Sequence, residues 1–205
     1  MKKYAVLHEP GDIVTLAGTR FVVLDVERRG SLPDSLFLLA LESVGASEFG
    51  SSNNYAESDL KKAVDKWLED MGKRGLDNAK LIPREIDLTT LDGSGCYGKL
   101  SVKAAPLTLD EAREYADIIP NAERWCWLAT GWSGPSKSDG DLALCVSSDG
   151  VWGGSGYGCS GSCGIRPALK APSILFEDSE AGLDLSKIPT DDLLQEIHRR
   201  LAEKA

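Results

Sequence analysis

The chain has 205 residues, 42% of them hydrophobic, which is enough for a buried core and too apolar for wholesale disorder. That length suits one domain with an appendage, or at most two small domains. A formal charge of -9 and a pI near 4.8 argue against nucleic acid or an anionic membrane surface as main partner, since both would repel it.

Met1-Lys2-Lys3 is basic, but Tyr4-Ala5-Val6-Leu7 is too short for the apolar part of a signal peptide and is stopped by His8-Glu9-Pro10. The expectation is a protein made in the cytoplasm without a signal peptide. No stretch approaches the roughly 20 apolar residues of a membrane span, so membrane insertion is not expected.

Residues 20–27 read as a strand, and residues 35–41 form a continuous apolar run of strand length. Residues 28–34 between them read as a turn, making the start a β-hairpin. A loop over residues 49–55 follows. Leu60, Ala63, Val64, Trp67, Leu68 and Met71 then recur at helical spacing, with Gly72 as the stop signal. A second helix is predicted from Thr108, because Thr108-Leu109-Asp110-Glu111 has the form of a capping box. Leu109, Ala112, Tyr115, Ala116 and Ile119 make its apolar stripe, and Pro120 ends it.

From Trp125 on the pattern is β, with strands predicted over 125–130, 142–147 and 164–169. Trp125 and Trp127 share a face, so at least one belongs to the core. Ser148-Asp149-Gly150 is a hairpin turn signal leading into Val151-Trp152. Residues 177–182 form an acidic linker, and Pro189-Thr190 opens a helix whose Leu193, Leu194, Ile197 and Leu201 form a narrow stripe. The chain thus divides into a domain over 1–176 and a linker with a C-terminal helix over 177–205. So narrow a stripe either docks on its own domain or meets a partner.

Residues 153–164 contain only Gly, Ser, Tyr and Cys. Such a run builds no core of its own, yet it lies inside a domain between two predicted strands, which suits a displayed surface better than a flexible linker. An Asn codon changed only at its adenines reaches all of these residue types. Trp132 and Trp152 each adjoin a Gly-rich loop, and large aromatics beside small neighbours are the usual make-up of a recognition surface. The candidate ligand-binding residues are therefore Trp132, Trp152, Ser155, Tyr157, Cys159, Ser160, Ser162 and Cys163. Arg166, ahead of Pro167, has the expected task of pairing with a carboxylate or carbonyl inside the fold.

The five cysteines are read as free thiols. The spacing of Cys159 and Cys163 is neither a redox motif nor half of a zinc ribbon. Asp139 and Asp141 with Ser136 and Ser138 read as a polar turn rather than a cation site. No acid-base, nucleophilic, phosphate-loop or dinucleotide motif stands out, so no catalytic residue, metal or cofactor is expected.

Several segments occur together and in order: Phe49-Gly50-Ser51-Ser52-Asn53-Asn54-Tyr55-Ala56-Glu57-Ser58-Asp59-Leu60, Pro83-Arg84-Glu85-Ile86-Asp87-Leu88-Thr89-Thr90-Leu91-Asp92-Gly93, Pro106-Leu107-Thr108-Leu109-Asp110-Glu111-Ala112-Arg113, Trp125-Cys126-Trp127-Leu128-Ala129-Thr130 and Gly164-Ile165-Arg166-Pro167-Ala168-Leu169. In combination they resemble a domain family without assigned activity, common in Firmicutes, their phages and prophages. The match covers most of residues 12–176. That family in turn resembles the C-type-lectin-like fold of retroelement-diversified proteins, such as phage tropism determinants, and of formylglycine-generating enzymes.

The resemblance implies an α+β fold, with two helices flanking a small antiparallel sheet and a ligand face built from long late loops within 125–169. Diversity-generating retroelements act by adenine-directed mutagenesis, which matches the codon pattern of 153–164. The implied function is a phage- or prophage-type receptor-recognition protein displaying a variable surface at 152–163. Its ligand would be a cell-surface protein or glycan. Its C-terminal helix would meet a virion or homo-oligomer partner, and the protein would be virion-associated or cytoplasmic. The acidic-Pro-acidic triplet of calcium-dependent lectins is missing, so calcium-dependent sugar binding is not implied. Two alternatives stay open: a copper oxidase of the formylglycine-generating type using Cys159 and Cys163, and a purely structural virion protein.

Overall fold

The computed structural model describes residues 8–29, 32–150 and 157–176, together with 190, 191 and 194. In chain order its strands are β1 (Ile13–Leu16), β2 (Thr19–Arg29), β3 (Leu32–Ala40), β4 (Ala46–Glu48), β5 (Arg84–Asp87), β6 (Lys99–Val102), β7 (Ala104–Ala105), β8 (Cys126–Gly131), β9 (Leu142–Val146), β10 (Tyr157–Gly158), β11 (Ser162–Gly164) and β12 (Ala168–Pro172). Helix α1 (Asp59–Lys73) lies between β4 and β5, and α2 (Leu109–Glu114) between β7 and β8. The architecture is α+β. One sheet has the order β1-β2-β3-β12-β7, a second β10-β9-β8-β11-β4, and β5-β6 form a separate ribbon.

The apolar runs of β2, β3, β8 and β9 are continuous because these strands are covered on both faces. Phe21, Val23, Leu36, Leu38, Trp127, Ala129, Ala143 and Cys145 point into the main core, which α1 closes with Leu60, Val64 and Met71. Val22, Leu24, Leu39, Leu128 and Leu144, the alternate residues, point the other way into a second cluster closed by Leu109 and Ala112 of α2.

Both helix starts follow their sequence signals. The Ser58 hydroxyl accepts from the Lys61 amide at 2.9 Å, capping α1. At α2 the Thr108 hydroxyl accepts from the Glu111 amide, and the Glu111 carboxylate accepts from the Thr108 amide at 2.8 Å. The helix ends differ from expectation. Helix α1 runs through Gly72 to Lys73, and the left-handed residue that stops it is Gly75, with φ +103°. Helix α2 ends at Glu114, and the chain continues in turns in which the amides of Ile118 and Ile119 both donate to the Tyr115 carbonyl, ahead of Pro120. Of its expected stripe, Leu109 and Ala112 are buried, Tyr115 and Ile119 half-buried, and Ala116 exposed.

The hairpin strands extend further than expected, to Arg29 and from Leu32, with residues 30–31 outside the described residues. The strand expected over 164–169 is two strands in different sheets. Gly164 pairs in parallel with Cys126 of β8, while Ala168–Pro172 pairs antiparallel with β3 and β7. Arg166 sits at the crossing, buried, and donates from Nε to the Ala40 carbonyl at 2.7 Å and from Nη1 to the Pro120 carbonyl at 2.9 Å. The carbonyl pairing expected of it is thus present. The acidic linker, and the C-terminal helix apart from Thr190, Asp191 and Leu194, lie outside the described residues.

Asn53 ties the loop before α1 to the second sheet. Its buried amide donates to the carbonyls of Ser133 at 2.8 Å and Leu142 at 3.0 Å, and its oxygen accepts from the Tyr97 hydroxyl at 2.6 Å. Asn53→Ala leaves the buried Ser133 carbonyl without this donor and removes one bond each from Leu142 and Tyr97, and the expected loss of stability is about 1–3 kcal/mol. Urea denaturation with an unchanged slope measures it, and a loss under about 1 kcal/mol would show the loop to be held by other means.

Candidate functional site

Backbone hydrogen bonds set the geometry of residues 157–164. Tyr157 and Gly158 pair with Ala143 and Leu142 of β9. The Cys159 amide donates to the Asp141 carbonyl at 2.8 Å, and its carbonyl accepts from the amides of Phe49 and Gly50 at 2.9 and 3.1 Å. The Gly161 amide closes a turn onto the Gly158 carbonyl at 2.8 Å. Ser162, Cys163 and Gly164 then pair with Glu48, Ser47 and Ala46 of β4.

This scaffold sorts the side chains by direction. Tyr157, Ser160 and Ser162 are exposed, whereas Cys159 and Cys163 are buried in the main core. The two cysteines expected on a ligand surface thus face inward, Cys163 alternating with Ser162 in β11 and Cys159 lying in the turn between its bonds to Asp141 and to Phe49 and Gly50. Trp132 is half-buried against the second apolar cluster and is not among the residues lining the cleft below. Trp152 and Ser155 lie outside the described residues.

Beside the outward residues lies an open cleft of about 400 Å³, lined by Ala46, Arg124, Trp125, Tyr157, Ser162, Cys163 and Gly164. Trp125 is 44% exposed and Tyr157 41% exposed, large fractions for aromatic side chains in a folded chain. Their ring centroids are 6.3 Å apart at an interplanar angle of 47°. Tyr157 also meets the buried Trp127 edge-on at 5.6 Å, so its ring is braced from below. Gly161 makes this possible: a Cβ there would lie 2.1 Å from the Tyr157 ring. Trp127 is fixed in turn by its indole N–H, which donates to the Ser47 carbonyl at 2.9 Å.

Arg124 and Trp125 were not singled out as ligand-binding from the sequence. Trp125 follows the charged pair Glu123-Arg124 and stands just ahead of β8, and that edge position was the available signal. A braced aromatic wall, an exposed cation and the Ser162 hydroxyl can hold a ligand by stacking, by charge and by hydrogen bonds.

All five cysteines are free. The Cys163 thiol bonds the Cys145 sulfur rather than Cys159, and that contact together with burial pushes the Cys163 thiol well up. Burial, with the Asp141 carboxylate adding to it, pushes the Cys159 thiol up to about 12. Burial also raises Cys126, against the opposing Arg166 and Arg124 cations. Thiols shifted up in this way are poor nucleophiles at neutral pH, because the thiolate is the form that attacks. Among the described residues no group of three or more His, Cys, Asp or Glu gathers to hold a metal ion, and no helix is long and apolar enough to cross a membrane.

Compared with protein-family models, with curated proteins and with solved structures, the chain gives no match in any of the three.

The thiol environments give a direct readout. With a thiol-reactive reagent near pH 8, the native protein should react rapidly at the exposed Cys96 alone, and at all five cysteines once denatured. Fast native labelling of Cys159 or Cys163, located by mass spectrometry, would place those residues at an accessible surface instead.

Proposed function

We propose that this chain is a non-enzymatic ligand-binding module of phage or prophage type, with a C-type-lectin-like fold, that recognises a cell-surface protein or glycan. The observation that carries the reading is the exposed Trp125–Tyr157 pair over a cleft bordered by Ser162, on a turn held by backbone bonds from β9, β4 and the Phe49-Gly50 segment. Preorganised aromatic rings lose little conformational entropy when they bind, so exposed ones beside a fixed turn suit recognition.

The fold reading is supported by the way the chain closes on itself. The early hairpin β2–β3 pairs with the late strand β12, both helices lie between them, and the second sheet is built largely from the later strands. That order agrees with a C-type-lectin-like domain, whose late strands and loops carry the ligand. The Cys163 thiol is engaged with the Cys145 sulfur and not with Cys159, which supports binding over a copper oxidase built on a Cys159–Cys163 pair.

If residues 157–163 serve display, tolerance to substitution should alternate along them. Ser160→Arg and Ser162→Arg should change stability by no more than about 0.5 kcal/mol, whereas Cys159→Tyr and Cys163→Tyr overpack the core and should cost about 1–3 kcal/mol. Thermal melts of the four variants decide the matter, and equal losses at all four positions would make the segment structural throughout.

Binding itself is testable with labelled full-length chain on intact Firmicute cells by flow cytometry, and on an array of their surface glycans. Trp125→Ala and Tyr157→Ala should each weaken the signal about tenfold or more, the range of an aromatic hot spot, with circular dichroism unchanged. Binding that ignores both substitutions would remove the cleft from the recognition surface.

A further inference from the structure

A second cavity, of about 210 Å³, lies beneath α2 and residues 115–122, on the face of β8 opposite the Trp125–Tyr157 cleft. Its walls are mainly apolar, with Leu39, Leu107, Ile119, Leu128 and Val146 among them. Of its two charged lining residues, Asp149 is exposed and Arg166 is buried. Arg166 is 7% exposed and lines the cavity, and while Nε and Nη1 are satisfied by the Ala40 and Pro120 carbonyls, Nη2 is buried with no hydrogen-bond partner.

No carboxylate among the described residues forms an ion pair with Arg166. Glu42 acts on it only through space, and its carboxylate is paired with Arg20 at the surface. A buried guanidinium whose two bonds are both to neutral carbonyls keeps a net charge in a poorly solvated place, which is unfavourable until an anion joins it. The two carbonyl bonds also fix the plane of the fork, so the free Nη2 hydrogens are already oriented.

We propose that this cavity binds a small monocarboxylic acid whose apolar part is about the size of one aromatic ring. The carboxylate supplies at once the acceptor that Nη2 lacks and the opposite charge that Arg166 lacks. The apolar part fills the leucine, isoleucine and valine walls, where a fully hydrated anion such as phosphate would lose its water without replacement. The volume fits: a cavity of about 150 Å³ already admits a benzene-sized ligand. The exposed Asp149, whose carboxylate accepts from the Ser147 hydroxyl, stands among the lining residues and disfavours a second acidic group on the ligand. This site shares no lining residue with the Trp125–Tyr157 cleft, so either can hold without the other.

The test uses the full chain with phenylacetate, its neutral amide phenylacetamide, and acetate, followed by calorimetry and by tryptophan fluorescence, since Trp127 also lines the cavity. Phenylacetate should bind at a single saturable site, and both the amide and acetate should bind about tenfold more weakly or worse, the first lacking the charge and the second the apolar body. Ala116→Phe, at an exposed lining position, should abolish phenylacetate binding by taking up cavity space. Arg166→Gln should do the same if it folds, and the comparison of acid with amide does not depend on that variant. Equal affinity for acid and amide, binding that survives Ala116→Phe, or no saturable binding up to about 10 mM would each overturn the assignment.

Discussion

The pairing of Ala168–Pro172 with residues 35–39 of β3 is the constraint on which the rest of the described fold depends. It joins strands separated by well over half the chain, and everything between, both helices and the whole second sheet, is held within the closed loop. The entropy of such a closure grows only slowly with loop length, so the long insert is tolerable once the strands meet. The kinetic demand is heavier, because non-local β pairing must be found before its bonds can stabilise it. Arg166 and Pro167 stand where the chain passes from one sheet to the other. The Arg166 side chain binds the end of β3 through Ala40 and the segment after α2 through Pro120, so one residue ties three parts of the chain.

What the sequence made legible was local. Helix α1, the caps at Ser58 and Thr108, and the strands β2, β3 and β9 each follow from spacing or from a capping pattern that neighbouring residues impose. Residues whose conformation is decided by distant partners were not legible. Residues 164–169 have the apolar content of one strand, and nothing local says that the first belongs with β8 and the last with β3. Gly72 has the right type to end a helix, but the backbone turns left-handed at Gly75 instead. Helix α2 stops at Glu114, and its last expected turn is replaced by irregular turns closed on Arg113 and Tyr115.

The candidate site divides in the same way. That residues 153–164 are unlike core sequence was legible from composition alone. The inward direction of Cys159 and Cys163 was not, since it depends on the register of two short strands against β9 and β4. Equally hidden was the contribution of Trp125, which becomes a cleft wall only because Trp127, two residues on, is taken into the core and Tyr157 arrives between them. The exposed ring depends on the buried one for its orientation.

The anchoring of Cys159 carries a consequence beyond its thiol. Its amide and carbonyl bind Asp141, Phe49 and Gly50 through main-chain atoms only, and those bonds exist for any residue except proline at that amide. At Cys159 the turn's position in space is therefore set by main-chain bonds, while Tyr157 alone among the outward side chains is braced against the core, through Trp127. Location thus rests on main-chain bonds, none of which is made by the outward Ser160 and Ser162 hydroxyls.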